Sequence, residues 1–135
     1  MKTVKYLVEL GLDINKENDD GETLLFPACS SGNEHLVKYL VKLGLDINKE
    51  NDCGETLLFP ACSSGNECLI KYLVELGLDI NKESKYGTTP IFTVCNSGDE
   101  HLVKYLVDLG ADISRENNDG ETPFLYACYH ENEIL

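Results

Sequence analysis

The sequence predicts an all-α solenoid of stacked helix-turn-helix units joined by β-hairpin-like loops. The string GETLLFPACSSGNE occurs at 21–34 and again, unchanged, at 54–67. The glycines recur at three places in a period of 33 residues, and apolar stripes with helical spacing fall between them. A period of roughly 20–50 residues is typical of a repeat array.

The period makes the whole chain, residues 1–135, a single domain of similar units. Complete units are predicted at 18–50, 51–83 and 84–116, with partial units at 1–17 and 117–135. The first two complete units differ at only four positions. One helix pair per unit buries too little apolar surface to fold alone, so the units must stack.

The second helix of each unit has the clearer pattern. In NEHLVKYLVKL (33–43), apolar residues lie along one face of a helix, and a polar residue that can cap the N-terminus precedes them. The predicted caps are Asn33, Asn66 and Asp99. The predicted i,i+4 ion pairs are Glu34–Lys38, Glu67–Lys71 and Glu100–Lys104.

The first helix of each unit is predicted within TLLFPACSS, where small residues at the centre, Ala28 and Cys29, let neighbouring helices approach closely. Pro27 and Pro60 stand in the first turn of two of these helices. Proline has no N–H, and its ring crowds the carbonyl one turn back, so we expect a distorted first turn at both places.

The glycines predict where the chain turns. One set follows each second helix, one separates the two helices of a unit, and one lies in the loops NDDG, NDCG, SKYG and NNDG. Each place calls for a left-handed residue or a tight turn. No glycine is left over for a phosphate-binding loop.

The pattern resembles the ankyrin repeat family over the whole chain. The most similar segments are DGETPFLYAC (119–128), YGTTPIFTVCNSG (86–98) and LVKYLVDLGADIS (102–114). The resemblance implies an L-shaped unit stacked in a curved ankyrin solenoid that binds other proteins along a concave face. The family's usual histidine after threonine-proline-leucine is replaced by Phe26, Phe59, Phe92 and Leu125, so a hydrophobic contact must replace its hydrogen bond.

The charge balance favours a basic protein partner. Twenty-four acidic and eleven basic residues give a formal charge of −13, which disfavours nucleic acid and anionic membrane surfaces. The alternative, that the charge only keeps the array in solution, stays open. Apolar runs are short and the N-terminus has no signal-peptide pattern, so we expect an intracellular, cytoplasmic protein.

The cysteines predict no disulfide and no metal site. Cys29, Cys62, Cys95 and Cys128 recur every 33 residues. Stacked helices lie roughly 8–10 Å apart, too far for a disulfide or for one zinc ion, so we expect four buried apolar side chains. Cys53 and Cys68 are expected to be the exposed thiols.

Other metal and catalytic patterns also fail. The repeat spacing argues against a site made by His35, Cys68 and His101. DINKENDDG (13–21) resembles a calcium loop, but Asn18 stands where an EF-hand needs glycine. No unique nucleophile, base and acid come together, and residues that recur in every unit are explained by the scaffold. We therefore expect no enzyme, no metal and no cofactor.

The predicted function is a protein-interaction module that works through a concave, acidic face of loop tips and first helices. The partner-binding residues are Asp19, Asp20, Glu22, Asp52, Cys53 and Glu55, then Lys85, Tyr86, Thr88 and Asn96, then Asn118, Asp119, Glu121, Tyr129 and His130. Ser30, Ser31, Ser63 and Ser64 lie beside the first group. Tyr86 and Tyr129 are the preferred hot spots, with the alternative that both lie only on a rim.

A structural spacer, or a designed or consensus fragment of a longer array without a dedicated partner, is the alternative function. Met1 aligns with Glu34 inside a second helix, and Glu131 stands where other units have glycine. We expect exposed apolar residues at both ends: Val4, Leu7 and Val8, and Phe124, Ala127 and Ile134. We also expect head-to-tail self-association, and a natural protein that continues past both termini.

Overall fold

The chain folds into a row of helix pairs. A computed structural model describes the backbone of residues 1–134 and the side chains of residues 1–129; this part contains eight helices and no strand. In chain order they are α1 (Lys2–Glu9), α2 (Leu25–Ser30), α3 (Glu34–Lys42), α4 (Leu58–Ser64), α5 (Glu67–Glu75), α6 (Pro90–Ser97), α7 (Glu100–Asp108) and α8 (Pro123–Ile134). The predicted all-α repeat fold is confirmed.

The second helices begin at the predicted caps. The Oδ1 atoms of Asn33, Asn66 and Asp99 each accept a hydrogen bond from the backbone N–H three residues later, at 3.0, 3.1 and 3.1 Å. Each bond satisfies one N–H that has no acceptor within the helix. The same three residues therefore set the start of α3, α5 and α7.

The ion pairs on these helices differ from the prediction in α5. Two predicted pairs are present, Glu34–Lys38 at 2.8 Å and Glu100–Lys104 at 3.1 Å. The predicted Glu67–Lys71 pair is wrong, because Lys71 lies 4.0 Å from Glu75. Glu67 instead holds the Nδ1 atom of His101 at 2.7 Å. Lys71 therefore pairs with Glu75, one turn later in α5, and Glu67 pairs with His101 in the next unit.

The prolines shift the start of the first helices. α2 and α4 begin at Leu25 and Leu58, one residue after the position at which α6 begins, Pro90. Pro27 is then the third residue of α2, where an N–H would have no acceptor within the helix. The later start thus accommodates the missing donor, and the Thr23 carbonyl accepts from Phe26 N–H at 3.1 Å instead.

Burial depends on the stacking of one unit on the next. Leu24, Leu57 and Pro90 hold the same position in successive units. Leu24 is 39% exposed, whereas Leu57 is 0% exposed and Pro90 is buried. Only the two later positions have a preceding unit's first helix beside them.

Hydrophobic contacts replace the missing histidines in three units. Phe26, Phe59 and Phe92 are buried, and the ring of Phe92 meets that of Tyr126 edge to face, with centroids 5.1 Å apart. At the fourth position Leu125 is exposed. The replacement therefore holds wherever the side chain lies between two units.

Narrow loops join the units, and they bond to each other. In each five-residue loop, the backbone N–H of the first residue donates a hydrogen bond to the carbonyl of the fifth residue, at 2.8–3.2 Å. We number them loop 1 (18–22), loop 2 (51–55), loop 3 (84–88) and loop 4 (117–121). Between loops, Asp52 N–H donates to Asp20 O, Lys85 N–H to Cys53 O, and Asn118 N–H to Tyr86 O, each at 2.9 Å. These three bonds form what we call the loop ladder.

Gly87, in loop 3, is required by the loop ladder as well as by the turn. Gly87 has φ +76°, and a Cβ atom there would lie 2.9 Å from the backbone N of Asn118. Gly65, between α4 and α5, has a similar φ of +74° with nothing within 4 Å. Comparing the same substitution at Gly87 and Gly65 therefore distinguishes the cost of backbone strain from the cost of the close approach of a neighbouring loop.

Gly87→Ala is expected to destabilise the protein more than Gly65→Ala. The left-handed conformation costs either variant about 1 kcal/mol, and loop 4 must also move away in the Gly87 variant. Urea unfolding followed by circular dichroism measures both. Equal losses would contradict the close approach in the loop ladder.

The cysteines are mostly placed as predicted. Cys29, Cys62 and Cys95 are buried and Cys68 is exposed, but Cys53 and Cys128 are both half-buried. All six are free thiols. Burial raises the pKa of the Cys29 and Cys62 thiols to about 12 and raises the pKa of Cys95 as well. Half-burial of Cys128 differs from the prediction; no later helix packs over α8 within the described residues.

These pKa shifts predict a loss of stability in alkali. In the unfolded chain the Cys62 thiol ionises near its ordinary pKa of 9.0, whereas the folded form keeps its proton up to about 12. Stability is therefore full below pH 9 and falls as the pH rises toward 12, by about 1.4 kcal/mol per pH unit for each such thiol. Urea unfolding at several pH values measures the slope.

Cys62→Ala is the matched control. It removes one buried thiol, so the alkaline slope should become shallower by about 1.4 kcal/mol per pH unit. An unchanged slope would show that groups other than this thiol cause the loss.

Candidate functional site

The predicted binding residues at the loop tips lie in one row. The second and third residues of the four loops are Asp19 and Asp20, Asp52 and Cys53, Lys85 and Tyr86, Asn118 and Asp119; we call these eight residues the loop-tip row. The loop ladder connects them. Each loop contains two neighbouring backbone segments, and hydrogen-bonded segments lie about 4.8 Å apart. Successive tips therefore lie about 10 Å apart, which agrees with the spacing of packed helices.

The carboxylates of this row lack cationic partners. Asp19, Asp20 and Asp52 are exposed, and none of the ion pairs among the described residues includes them. The lysines that do pair lie on the second helices or beside the loops, as in the Lys49–Glu17 pair at 3.3 Å. The row therefore keeps its negative charge at loops 1 and 2.

The predicted glutamates have a structural task. In loop 1, Asn18 Oδ1 accepts from the N–H groups of Asp20 and Glu22 at 3.0 and 2.9 Å, and Asn18 Nδ2 donates to Glu22 Oε1 at 2.9 Å. The same three bonds recur in loops 2 and 4. Glu22, Glu55 and Glu121 are half-buried and close the loops. In loops 1 and 2 the second carboxylate oxygen has no hydrogen-bond partner among the side chains of residues 1–129.

Sequence reasoning missed the residues that shape the loops, Asn18, Asn51, Ser84 and Asn117. A signal was present: asparagine and glutamate stand four residues apart in three loops, and both change together in loop 3. There Ser84 Oγ lies 2.7 Å from Thr88 Oγ1 and accepts from Tyr86 N–H at 3.2 Å. Thr88, predicted to bind a partner, is thus the counterpart of the loop-closing glutamates.

Loop 3 carries an aromatic side chain at its tip. Tyr86 is 62% exposed, and its hydroxyl lies 4.0 Å from Cys53 Sγ in loop 2. Contact with that thiol raises the pKa of Tyr86. Lys85 beside it is exposed and forms no ion pair among the described residues.

The predicted first-helix residues offer a polar surface. Ser30, Ser63 and Asn96 are exposed. The Ser31 and Ser64 hydroxyls donate to carbonyls of their own helices, at 2.9 and 2.6 Å. These two hydroxyls are therefore partly committed to ending the helices.

Tyr129 closes this surface at its C-terminal end. It is 46% exposed, its hydroxyl donates to Glu121 Oε2 at 3.1 Å, and this bond raises its pKa. Its ring lies 6.3 Å from that of Tyr126, which sequence reasoning did not single out. The side chain of His130 lies outside the described residues.

The structure also tests the other site patterns. Among the described residues, no three His, Cys, Asp or Glu side chains are grouped closely enough to hold a metal ion. No helix in the described part is both long and apolar enough to cross a membrane.

Apolar side chains lie at both ends of the row of helices. Leu7 and Phe124 are exposed, whereas Val4, Val8 and Ala127 are half-buried rather than exposed. A hollow of about 220 Å³ lies along α1 beside Leu7. The side chain of Ile134 lies outside the described residues, and head-to-tail association stays a prediction.

Comparison with known proteins identifies a family. Two overlapping stretches, residues 1–84 and 61–135, match the family model described as ankyrin repeats (3 copies). No curated protein matches the chain. The matched stretches together include every helix and all four loops.

The two loop chemistries should be interchangeable only as pairs. Thr88→Glu alone places a carboxylate in loop 3 without its amide partner, and Ser84→Asn alone leaves an amide unpaired, so both should destabilise. The double variant reproduces the closing pair of loop 2, and a double-mutant cycle from urea unfolding should give a favourable coupling of about 0.5–1.5 kcal/mol. Additive effects would contradict the loop-closing role.

Proposed function

Because the chain belongs to the ankyrin-repeat family, we propose that it binds a basic protein segment on the loop-tip row and the adjoining first helices. Ankyrin repeats are generally protein-protein interaction modules without catalytic activity. The observation that carries the proposal is that Asp19, Asp20 and Asp52 are exposed and form no ion pair within the part of the chain that the structure describes.

The loop ladder favours binding because it fixes in advance the backbone that carries these side chains. Three backbone hydrogen bonds hold the loops in register, so a partner need not immobilise them on association. Charges at such an exposed site act mainly on the association rate and are screened by salt. Binding should therefore weaken as the salt concentration rises.

The face made by the second helices supports this choice by contrast. There the lysines alternate with glutamates and form ion pairs, such as Lys38 with Glu34 at 2.8 Å. The Nζ atoms of Lys5 and Lys38 also lie over the rings of Tyr39 and Tyr72, at 5.5 and 5.1 Å. Charges on that face are largely compensated within the chain, so that face attracts a basic partner less strongly than the loop-tip row does.

A spacer without a dedicated partner remains the second candidate. The near identity of the first two complete units favours it, because repeated surfaces carry little information for recognition. A spacer would respond to its net charge alone and not to the position of the charges. The two candidates therefore differ in a measurable way.

Neutralising the loop-tip row should weaken binding of a basic peptide. The variant Asp19→Asn/Asp20→Asn/Asp52→Asn is compared with the parent by fluorescence anisotropy, using a labelled peptide of alternating lysine and serine at low and high salt. We expect a loss of about tenfold in affinity at low salt, which corresponds to about 0.5 kcal/mol for each charge.

The control removes the same three charges from equivalent places on the second helices, with Glu9→Gln/Glu75→Gln/Asp108→Asn. All three residues are exposed and end α1, α5 and α7. This control should keep most of the affinity. Equal losses in the two variants would mean that only net charge matters, which is the result a spacer predicts.

A further inference from the structure

Loop 3 differs in chemistry from the other three loops of the loop-tip row, and we infer that the row selects a segment in one register. Basic residues of the partner face loops 1 and 2, and a bulky apolar residue faces loop 3. This inference rests on the proposed function and specifies the chemistry of the partner.

Register must come from loop 3, since loops 1 and 2 cannot supply it. Their sequences differ only at Asp20 and Cys53, so a segment could shift by one unit at little cost. Loop 3 has Lys85 and Tyr86 at its tip and a serine-threonine pair in place of asparagine and glutamate. It is the first loop along the row with no carboxylate.

Tyr86 is ordered before any partner binds. Its carbonyl accepts from Asn118 N–H at 2.9 Å, its N–H donates to Ser84 Oγ at 3.2 Å, and its hydroxyl lies 4.0 Å from Cys53 Sγ. More than half of its surface nevertheless stays exposed. A rigid, exposed tyrosine is the residue type that dominates interface energies, because it offers a large contact area at a low entropic cost.

Lys85 keeps basic residues away from loop 3. Its backbone N–H is fixed by the bond to Cys53 O, and its Cγ atom would lie 3.3 Å from a Cβ placed on Gly54. The stem of the lysine thus passes close over the preceding loop, and the row carries a positive charge beside Tyr86. Like charges repel, so the arginines or lysines of a partner are disfavoured at loop 3 and face the exposed carboxylates of loops 1 and 2.

The spacing of the loops specifies the spacing in the partner. Successive tips lie about 10 Å apart, and an extended chain rises about 3.3 Å per residue. Every third residue of an extended segment therefore meets the next loop. The segment that fits has two basic residues and one aromatic residue, each separated by two small polar residues.

Two peptides of equal composition test this inference. The spaced peptide is Arg-Ser-Ser-Arg-Ser-Ser-Phe, and the clustered peptide is Arg-Arg-Phe-Ser-Ser-Ser-Ser. Each carries a label, and affinities are measured by fluorescence anisotropy at low salt. The spaced peptide should bind about tenfold more tightly, because only it can place its aromatic ring on Tyr86 while both arginines lie away from Lys85.

Two variants assign the preference to loop 3. Tyr86→Ala should remove the advantage of the spaced peptide while leaving the salt dependence in place. Tyr6→Ala is the matched control, because Tyr6 lies on α1 and is 61% exposed against 62% for Tyr86. Lys85→Glu should also reduce the difference in affinity between the two peptides, because it should strengthen the binding of the clustered peptide.

The outcomes separate this inference from the proposed function. If both peptides bind equally and both are salt-sensitive, the register inference is overturned and the proposed function stands. If Tyr86→Ala behaves like Tyr6→Ala, the inference is overturned as well. If neither peptide binds at low salt, the proposed function fails and the inference falls with it.

Discussion

Stacking of one small helix pair on the next is the constraint on which the rest of this structure depends. A single pair cannot bury its apolar face, and the contrast between Leu24 and Leu57 shows how completely a preceding unit supplies the missing cover. Because the units are near copies, one solution to this packing problem is used repeatedly. The positions of the loops follow from it.

Because the units stack, the loops bring their tip side chains into a row. Asparagine and glutamate close loops 1, 2 and 4 from within, and serine and threonine close loop 3. Three bonds between loops join backbone atoms, and Asn118 Nδ2 also donates to Lys85 O at 2.8 Å. The side chains of Asp19, Asp20 and Asp52 take no part in these bonds, so they can differ between units without disturbing the fold.

Predictions from the sequence were most often correct for features that depend on residues close by in the chain. The caps at Asn33, Asn66 and Asp99 and the glycines with positive φ are local features, and all were predicted. The incorrect Glu67–Lys71 pair arose from a neighbour in another unit, whereas the loop-closing asparagines were missed although their partners lie only four residues away. Glu67 contacts His101, 34 residues away, instead of Lys71. The distance between Glu67 and His101 depends on how the units are stacked.

The sequence by itself determined the repeat, the helices and their ends, because periodicity, capping and glycine conformation act within a few residues of the chain. It also placed the candidate surface at the loop tips. Only the tertiary structure decided which carboxylates are free and which are occupied. Glu17 pairs with Lys49 and Glu67 with His101, both across units, whereas Asp19, Asp20 and Asp52 form no ion pair among the described residues. The physical reason is that a side chain's partner is chosen by distance in space, which stacking sets and the order of residues does not.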